Sequence, residues 1–210
     1  MTVDPRVVVR GEAVTEALPD AADLVVTVEV RHRRRDEALT ALAARQRALT
    51  ALLAAQGDVL GAVSTDAVAV HPEQDGTRVT GQVAAVVTRV QVEQVDAAGA
   101  LAAAVAALPD TSLYGPHWRL SRSSPAHQQV RTEAVADAIG RANAYAAALG
   151  CRLTGLVEVR DTGGGGAVRA LAALAPASPQ LELRPAPQEV RGSVEVTFTM
   201  SVPDEEVFQR

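Results

Sequence analysis

Residues 190–202 read VRGSVEVTFTMSV, and their side chains alternate between apolar and polar along the whole stretch. The even positions are mostly valine, phenylalanine or methionine, whereas the odd positions are mostly charged or hydroxyl-bearing. Because successive side chains of a β-strand point to opposite faces of its sheet, the pattern predicts a strand with one dry and one wet face. Parallel strands covered on both sides would be apolar throughout, so the pattern favours an antiparallel sheet.

The same two-residue period recurs elsewhere in the chain. It is clear at 24–30 and at 84–92, and shorter runs share it at 7–13 and at 153–159. In the first of these runs, Leu24 and the valines at the next even positions oppose threonine, glutamate and arginine. Each run therefore predicts a further half-buried strand.

Helical patterns separate the predicted strands. The first helix is predicted to begin at Asp36, a favourable N-cap residue, and to end at Gly57. Its apolar stripe consists of Leu39, Leu42, Leu49, Leu52 and Leu53. A second, alanine-rich helix is predicted over 96–107, and Pro109 closes it.

The third predicted helix has the clearest limits. Ser124 and Pro125 supply a cap and a first-turn proline, and Gly150 supplies the stop. Its predicted inward stripe consists of Val130, Ala134, Ala138, Ala142, Tyr145 and Leu149. Alanine at most of these positions would let the helix axis lie close to a sheet. Asp137 and Arg141 are spaced for an i,i+4 ion pair on the outside.

The predicted order of elements is β-β-α-β-β-α-β-α-β-loop-β. This order is typical of an α+β fold in which helices pack on one face of an antiparallel sheet. We expect a single domain over 1–210, with an irregular arm or loop at about 161–189. That segment contains four consecutive glycines and four prolines, which are typical of a lid or of an arm ordered by a partner. Its scattered leucines favour the arm.

The composition excludes several classes of function. All 20 basic residues are arginine, so no lysine is present to form a Schiff base, anchor pyridoxal phosphate or complete a Walker A motif. Aromatic residues make up only 2% of the chain, which leaves few side chains on which bases could stack. A net charge of −5 disfavours nonspecific nucleic-acid binding, so we expect no nucleic-acid partner.

We expect no metal, no organic cofactor and no catalytic site. Cys151 is the single cysteine, the four histidines lack metal-binding spacing, and neither a Gly-x-Ser-x-Gly nor a His-Glu-x-x-His motif occurs. The N-terminus has no export-signal pattern, and no run of 18 apolar residues occurs. These features predict a cytoplasmic protein without membrane insertion.

Several short stretches resemble, in their order and spacing, proteins of the SIMPL-domain family. They are VRGEA at 9–13, PDAA at 19–22, GQVA at 81–84, EAVADA at 133–138, ANAYAAALG at 142–150 and the closing VEVTF at 194–198. The resemblance covers nearly the whole chain. It implies a bacterial protein with no agreed enzymatic activity, a stress-associated or envelope-associated role, and self-assembly into rings or hollow oligomers. Members usually carry an export signal, so its lack here argues against the envelope role.

The resemblance assigns a structural role to a set of motif residues. These are Gly11, Pro19, Asp20, Gly81, Ala134, Asp137, Ala138 and Gly150. Their local chemistry supports this interpretation. Gly11, among alternating valines, suits a bulge or a close backbone crossing, and Pro19-Asp20 suits a turn between two strands. A turn is therefore favoured over a catalytic role for Asp20.

Two regions suggest an alternative function. Tyr114, His117 and Trp118 form the most aromatic part of the chain and could line a small-molecule pocket, although Pro116 between them suggests an edge strand or bulge. Cys151 lies beside an arginine and could act as a redox-sensing thiol. We favour a non-enzymatic, structural or stress-associated protein that assembles into a homo-oligomer larger than a dimer. A small-ligand or redox-sensing module is the alternative.

Overall fold

The computed structural model describes residues 4–162 and 183–203. Its elements are β1 (Arg6–Ala17), β2 (Ala21–His32), α1 (Arg35–Ala54), β3 (Leu60–Asp75), β4 (Arg78–Val92), α2 (Ala98–Ala106), β5 (Thr111–Arg119), α3 (Pro125–Ala148), β6 (Leu153–Asp161) and β7 (Gln188–Met200). The predicted α+β class and the predicted order of elements are confirmed. The predicted arm at 161–189 lies largely outside the described residues.

The strands form two antiparallel sheets, which the alternation of residue types had not separated. One sheet has the order β1-β7-β6, and the other has the order β3-β4-β2-β5. The chain divides into two compact units. The first contains the three-stranded sheet and α3, and the second contains the four-stranded sheet with α1 and α2. A single domain over 1–210 stays a prediction.

The second unit buries one face of its sheet under two helices. The buried side chains of β2 and β4 are the predicted even-numbered ones, from Leu24 to Val30 and from Ala84 to Val92. The α1 residues Leu42, Leu49 and Leu53 pack in the same core as these strands, together with residues of α2. The alternation of apolar and polar residues in β2 and β4 therefore reflects the burial of one sheet face in this core.

Helix α1 differs from the prediction at both ends and in its buried stripe. It ends at Ala54, before the predicted stop at Gly57. The helix begins at Arg35 with Arg34 at the N-cap, so Asp36 lies inside the first turn, where it binds the Arg34 guanidinium at 2.9 Å. A carboxylate in the first turn is favourable for the helix dipole, which explains why Asp36 resembled a cap in the sequence. The buried stripe includes Ala38, and Leu39 is exposed.

In the first unit, α3 packs on β1 and β7 through very small side chains. The predicted start at Ser124-Pro125 is confirmed. The buried stripe follows a strict four-residue step: Ala126, Val130, Ala134, Ala138, Ala142 and Ala146. Tyr145 was predicted to point inward, but it is exposed, and Ala146 takes its place. Bulky side chains would hold the helix away from the sheet, and this packing has no space for them.

Two glycines in the sheet permit this close approach. A Cβ added at Gly11 of β1 would lie 2.0 Å from the Ala134 carbonyl oxygen and 2.8 Å from the Ala138 Cβ. A Cβ added at Gly192 of β7 would lie 2.9 Å from the Val130 carbonyl oxygen. The helix backbone therefore lies directly on the backbones of two paired strands.

Strand β7 lies between β1 and β6 and carries the core of this unit. The even-numbered side chains from Val190 to Met200 are buried, as predicted. The burial ends with the strand, and Val202 beyond it is 76% exposed. The last predicted core position is therefore wrong, because the chain has left the sheet there.

We predict that Gly11→Ala lowers the free energy of unfolding by more than about 3 kcal/mol, because the new methyl group cannot fit beside the α3 backbone. Gly140→Ala is the matched control, since Gly140 lies on the exposed side of α3 with nothing near its Cβ position. It should stabilise the protein by about 0.5–1 kcal/mol. Urea unfolding monitored by circular dichroism measures both changes. A Gly11→Ala variant as stable as the parent protein would contradict the packing described here.

Candidate functional site

The motif residues Pro19 and Asp20 lie in the short connection between β1 and β2. Both oxygens of the Asp20 carboxylate accept hydrogen bonds from Ser121, which follows β5: the backbone N–H donates at 2.5 Å and the hydroxyl at 2.8 Å. Pro19 is buried beside this pair. The carboxylate of Asp20 is thus used to hold two distant parts of the chain together.

A second group of motif residues meets where α3 crosses β1. Gly11, Ala134 and Ala138 form the close contact, and Asp137 lies beside them on α3. The Asp137 carboxylate accepts a hydrogen bond of 2.9 Å from the Glu12 backbone N–H and binds Arg141 at 2.9 Å, as the i,i+4 spacing predicted.

The electrostatics of this contact favour the charged form of Asp137. The Glu12 N–H, and to a lesser extent Arg141, hold the pKa of the Asp137 carboxyl below its usual value. Because β1 is an edge strand, the Glu12 N–H that Asp137 accepts would otherwise be available to another strand. Asp137 thus protects this part of the β1 edge.

The remaining motif glycines occupy constrained backbone positions. Gly150 has φ +64° just after α3, and the Cys151 N–H donates to the Ala146 carbonyl at 2.7 Å, which is the Schellman arrangement of a helix end. Gly81 is buried in β4, where a Cβ would lie 3.1 Å from the His32 carbonyl oxygen.

The aromatic region lies on β5, an edge strand of the four-stranded sheet. Gly115 and Pro116 together oppose Leu24 of β2, which makes a β-bulge. The rings of Tyr114 and His117 lie 4.8 Å apart at 60°, and Tyr114 is 69% exposed. Trp118 instead packs against the core of the second unit. The structure brings Tyr114 and His117 together but separates them from Trp118, and a ligand at this site stays a prediction.

Cys151 is partly buried at the end of α3. Its thiol donates to the Leu149 carbonyl oxygen at 3.4 Å. This position is consistent with a packing role at a helix-to-strand junction, and the redox role stays a prediction.

The arginine-rich run 31–35 is largely balanced by acidic neighbours. Arg31 binds Glu29 at 2.7 Å and Glu73 at 3.2 Å, and His32 lies 2.7 Å from Glu37. Within the described ranges 4–162 and 183–203, no group of three His, Cys, Asp or Glu side chains is arranged to hold a metal ion. None of the described helices combines the length and the apolar character needed to cross a membrane.

A cleft that no sequence pattern predicts lies in the first unit, between α3, β6 and β7. Its volume is about 380 Å³. The residues that line it are His127, Val130, Arg131, Ala134 and Val135 of α3, Val159 and Asp161 of β6, and the β7 segment 191–194. It opens because α3 covers β1 and β7 but hardly touches β6. Three elements far apart in sequence converge here, so no local motif could predict it.

The pH dependence of stability tests the role of Asp137. Because its folded pKa is lowered, Asp137 stabilises the protein above the pKa of an unfolded aspartate, and this contribution disappears as the pH falls through the lower folded value. We predict that Asp137→Asn reduces the loss of stability on acidification. Urea unfolding at a series of pH values between about 6 and 2 measures the difference. Parallel pH profiles for the two proteins would contradict the role given to the charge.

The comparisons with known proteins identify one family. No curated protein gives a significant match to the sequence. The model of the SIMPL family, described as a protein of unknown function (DUF541), matches residues 7–198. That match includes every strand and helix from β2 to β6 and nearly all of β1 and β7. The chain therefore belongs to the SIMPL family.

Proposed function

We propose that this protein is a non-catalytic SIMPL-domain protein that assembles with copies of itself and serves a structural or stress-associated role. The observation that carries the proposal is the uncovered strand β6. Its residues are exposed along almost the whole length, and Leu156 is 62% and Val159 52% exposed. An exposed edge strand with apolar side chains favours pairing with another chain.

The other sheet edges are better protected. Asp137 accepts the Glu12 N–H at the edge of β1. The bulge at Gly115-Pro116 interrupts β5, and proline removes a backbone donor there. Strand β3 contains Pro72, which has no backbone N–H to donate; its three register irregularities do not set it apart from β6, which has two. A proline or an occupied backbone N–H on an edge strand opposes edge-to-edge pairing, and β6 has no proline, so β6 is the edge at which we expect association.

The register of β6 shows which of its side chains a second copy would meet. Leu156 opposes Phe198, and Val159 opposes Val196, so both exposed side chains lie on the same sheet face as the buried residues of β7. Glu158 and Arg160 lie on the other face, where Arg160 binds Glu158 at 2.8 Å. One face of β6 thus continues the apolar core, and none of the helices in the described ranges packs over it.

An assembly larger than a dimer needs a second surface that differs from β6. Val8 and Val14 on the outer face of β1 are also exposed. When β6 of one copy contacts a different surface of the next copy, the contact is heterologous, and heterologous contacts close into rings when the rotation permits. Pairing of β6 with itself across a two-fold axis would instead stop at a dimer.

We predict that the intact protein has a native mass of more than two chains and that Leu156→Arg lowers it. Light scattering coupled to size-exclusion chromatography measures the mass at micromolar concentration. Val68→Arg is the matched control, because Val68 lies on the edge strand β3 and is 64% exposed. It should leave the mass unchanged.

The proposal would be wrong if the intact protein were monomeric. It would also be wrong if Leu156→Arg left the mass unchanged, or if Val68→Arg alone reduced it, because association would then not depend on β6. Circular dichroism of each variant confirms that the fold is retained, since both substituted residues are exposed.

A further inference from the structure

The cleft between α3 and β6 changes in chemical character along its length. His127 and Arg131 lie at the end where α3 begins, together with Asp161. Arg191 contributes only its position in the strand, because the odd-numbered side chains of β7 point away from α3. Toward the other end, α3 presents Val135. Ile139 follows one turn later and is exposed. The cleft therefore has a polar end, where Arg131 is the cation, and an apolar end.

The β6 wall of the cleft changes from polar to apolar in the same direction as the α3 wall, as the register of the sheet shows. Asp161 of β6 opposes Val194, whereas Val159 opposes Val196 and Leu156 opposes Phe198. Going from Asp161 to Leu156, the wall changes from a carboxylate to two exposed apolar side chains. Both walls become apolar in the same direction, as an elongated amphiphile would require.

Arg131 is the cation best placed to receive an anion. Arg191 already binds the Glu189 carboxylate outside the cleft. Within the described part of the chain, Arg131 makes no ion pair, and it is exposed on the cleft side of α3. An arginine binds a carboxylate through paired, charge-assisted hydrogen bonds, which are stronger than those between neutral groups.

We propose that this cleft binds a small amphiphilic monocarboxylate. The carboxylate lies against Arg131, with His127 beside it, and the hydrocarbon chain extends along Val135 and Val159. The volume of about 380 Å³ is within the range of small-molecule sites, and a lining that is mainly apolar with a few polar groups is typical of them.

Isothermal titration of the full chain with sodium octanoate tests the proposal. We expect saturable binding of one octanoate per chain and weaker binding of 1-octanol, which lacks the charge. Arg131→Gln should weaken octanoate binding at least about tenfold, the effect of losing one charge-assisted contact. Arg47→Gln is the matched control, because Arg47 is an exposed helical arginine on α1 whose Nε donates only to the Ala43 carbonyl oxygen.

A variant with a blocked cleft separates binding in this cleft from binding elsewhere. Val135→Trp places a large ring in the cleft from an exposed position, so it should abolish octanoate binding without unfolding the protein. The proposal is overturned if octanoate gives no saturable heat, if 1-octanol binds as tightly, or if Arg131→Gln and Arg47→Gln bind alike. Binding that survives in Val135→Trp would also overturn it, because the ligand would lie elsewhere.

Discussion

The contact between the backbone of α3 and the backbones of β1 and β7 is the constraint on which the first unit depends. Gly11 and Gly192 leave no side chain between helix and sheet, and the alanines at every fourth position of α3 fill the remaining space. This contact between helix and sheet buries little apolar area per residue, so its stability comes from close packing over many helical turns. It also fixes the position of Asp137 over the β1 edge.

The contact between α3 and the sheet is narrow, and this explains why α3 leaves β6 uncovered. A helix that approaches so closely through alanine covers only the two strands directly beneath it, which are β1 and β7. The apolar face of β7 continues onto β6 through Leu156 and Val159, but no part of α3 reaches over them. The same geometry therefore produces both the exposed edge and the cleft beside it. The proposed self-association and the proposed ligand binding both depend on this single feature.

Features that depend on residues close together in the chain could be predicted from the sequence. Features that depend on residues far apart in the chain could not. Strand alternation, the helix start at Ser124-Pro125 and the helix stop at Gly150 are local signals, and these predictions are confirmed. The predicted inward face of α3 is partly wrong: alanine occurs on all sides of the helix, so the sequence favours the larger Tyr145 over Ala146 as a core residue. The bond from Glu12 to Asp137 joins residues 125 positions apart, and the cleft combines three separate elements, so neither had a local signal.

We infer that α3, β1 and β7 form one cooperative unit through this backbone contact. Native-state hydrogen exchange measures it most directly, since amides that open together share one opening free energy. We expect the amides of Ala134, Ala138 and Ala142 to exchange with the same opening free energy as those of Val194 and Val196. If the opening free energies of the α3 amides are several kcal/mol lower than those of the β7 amides, the helix is only loosely attached and does not form one cooperative unit with its strands.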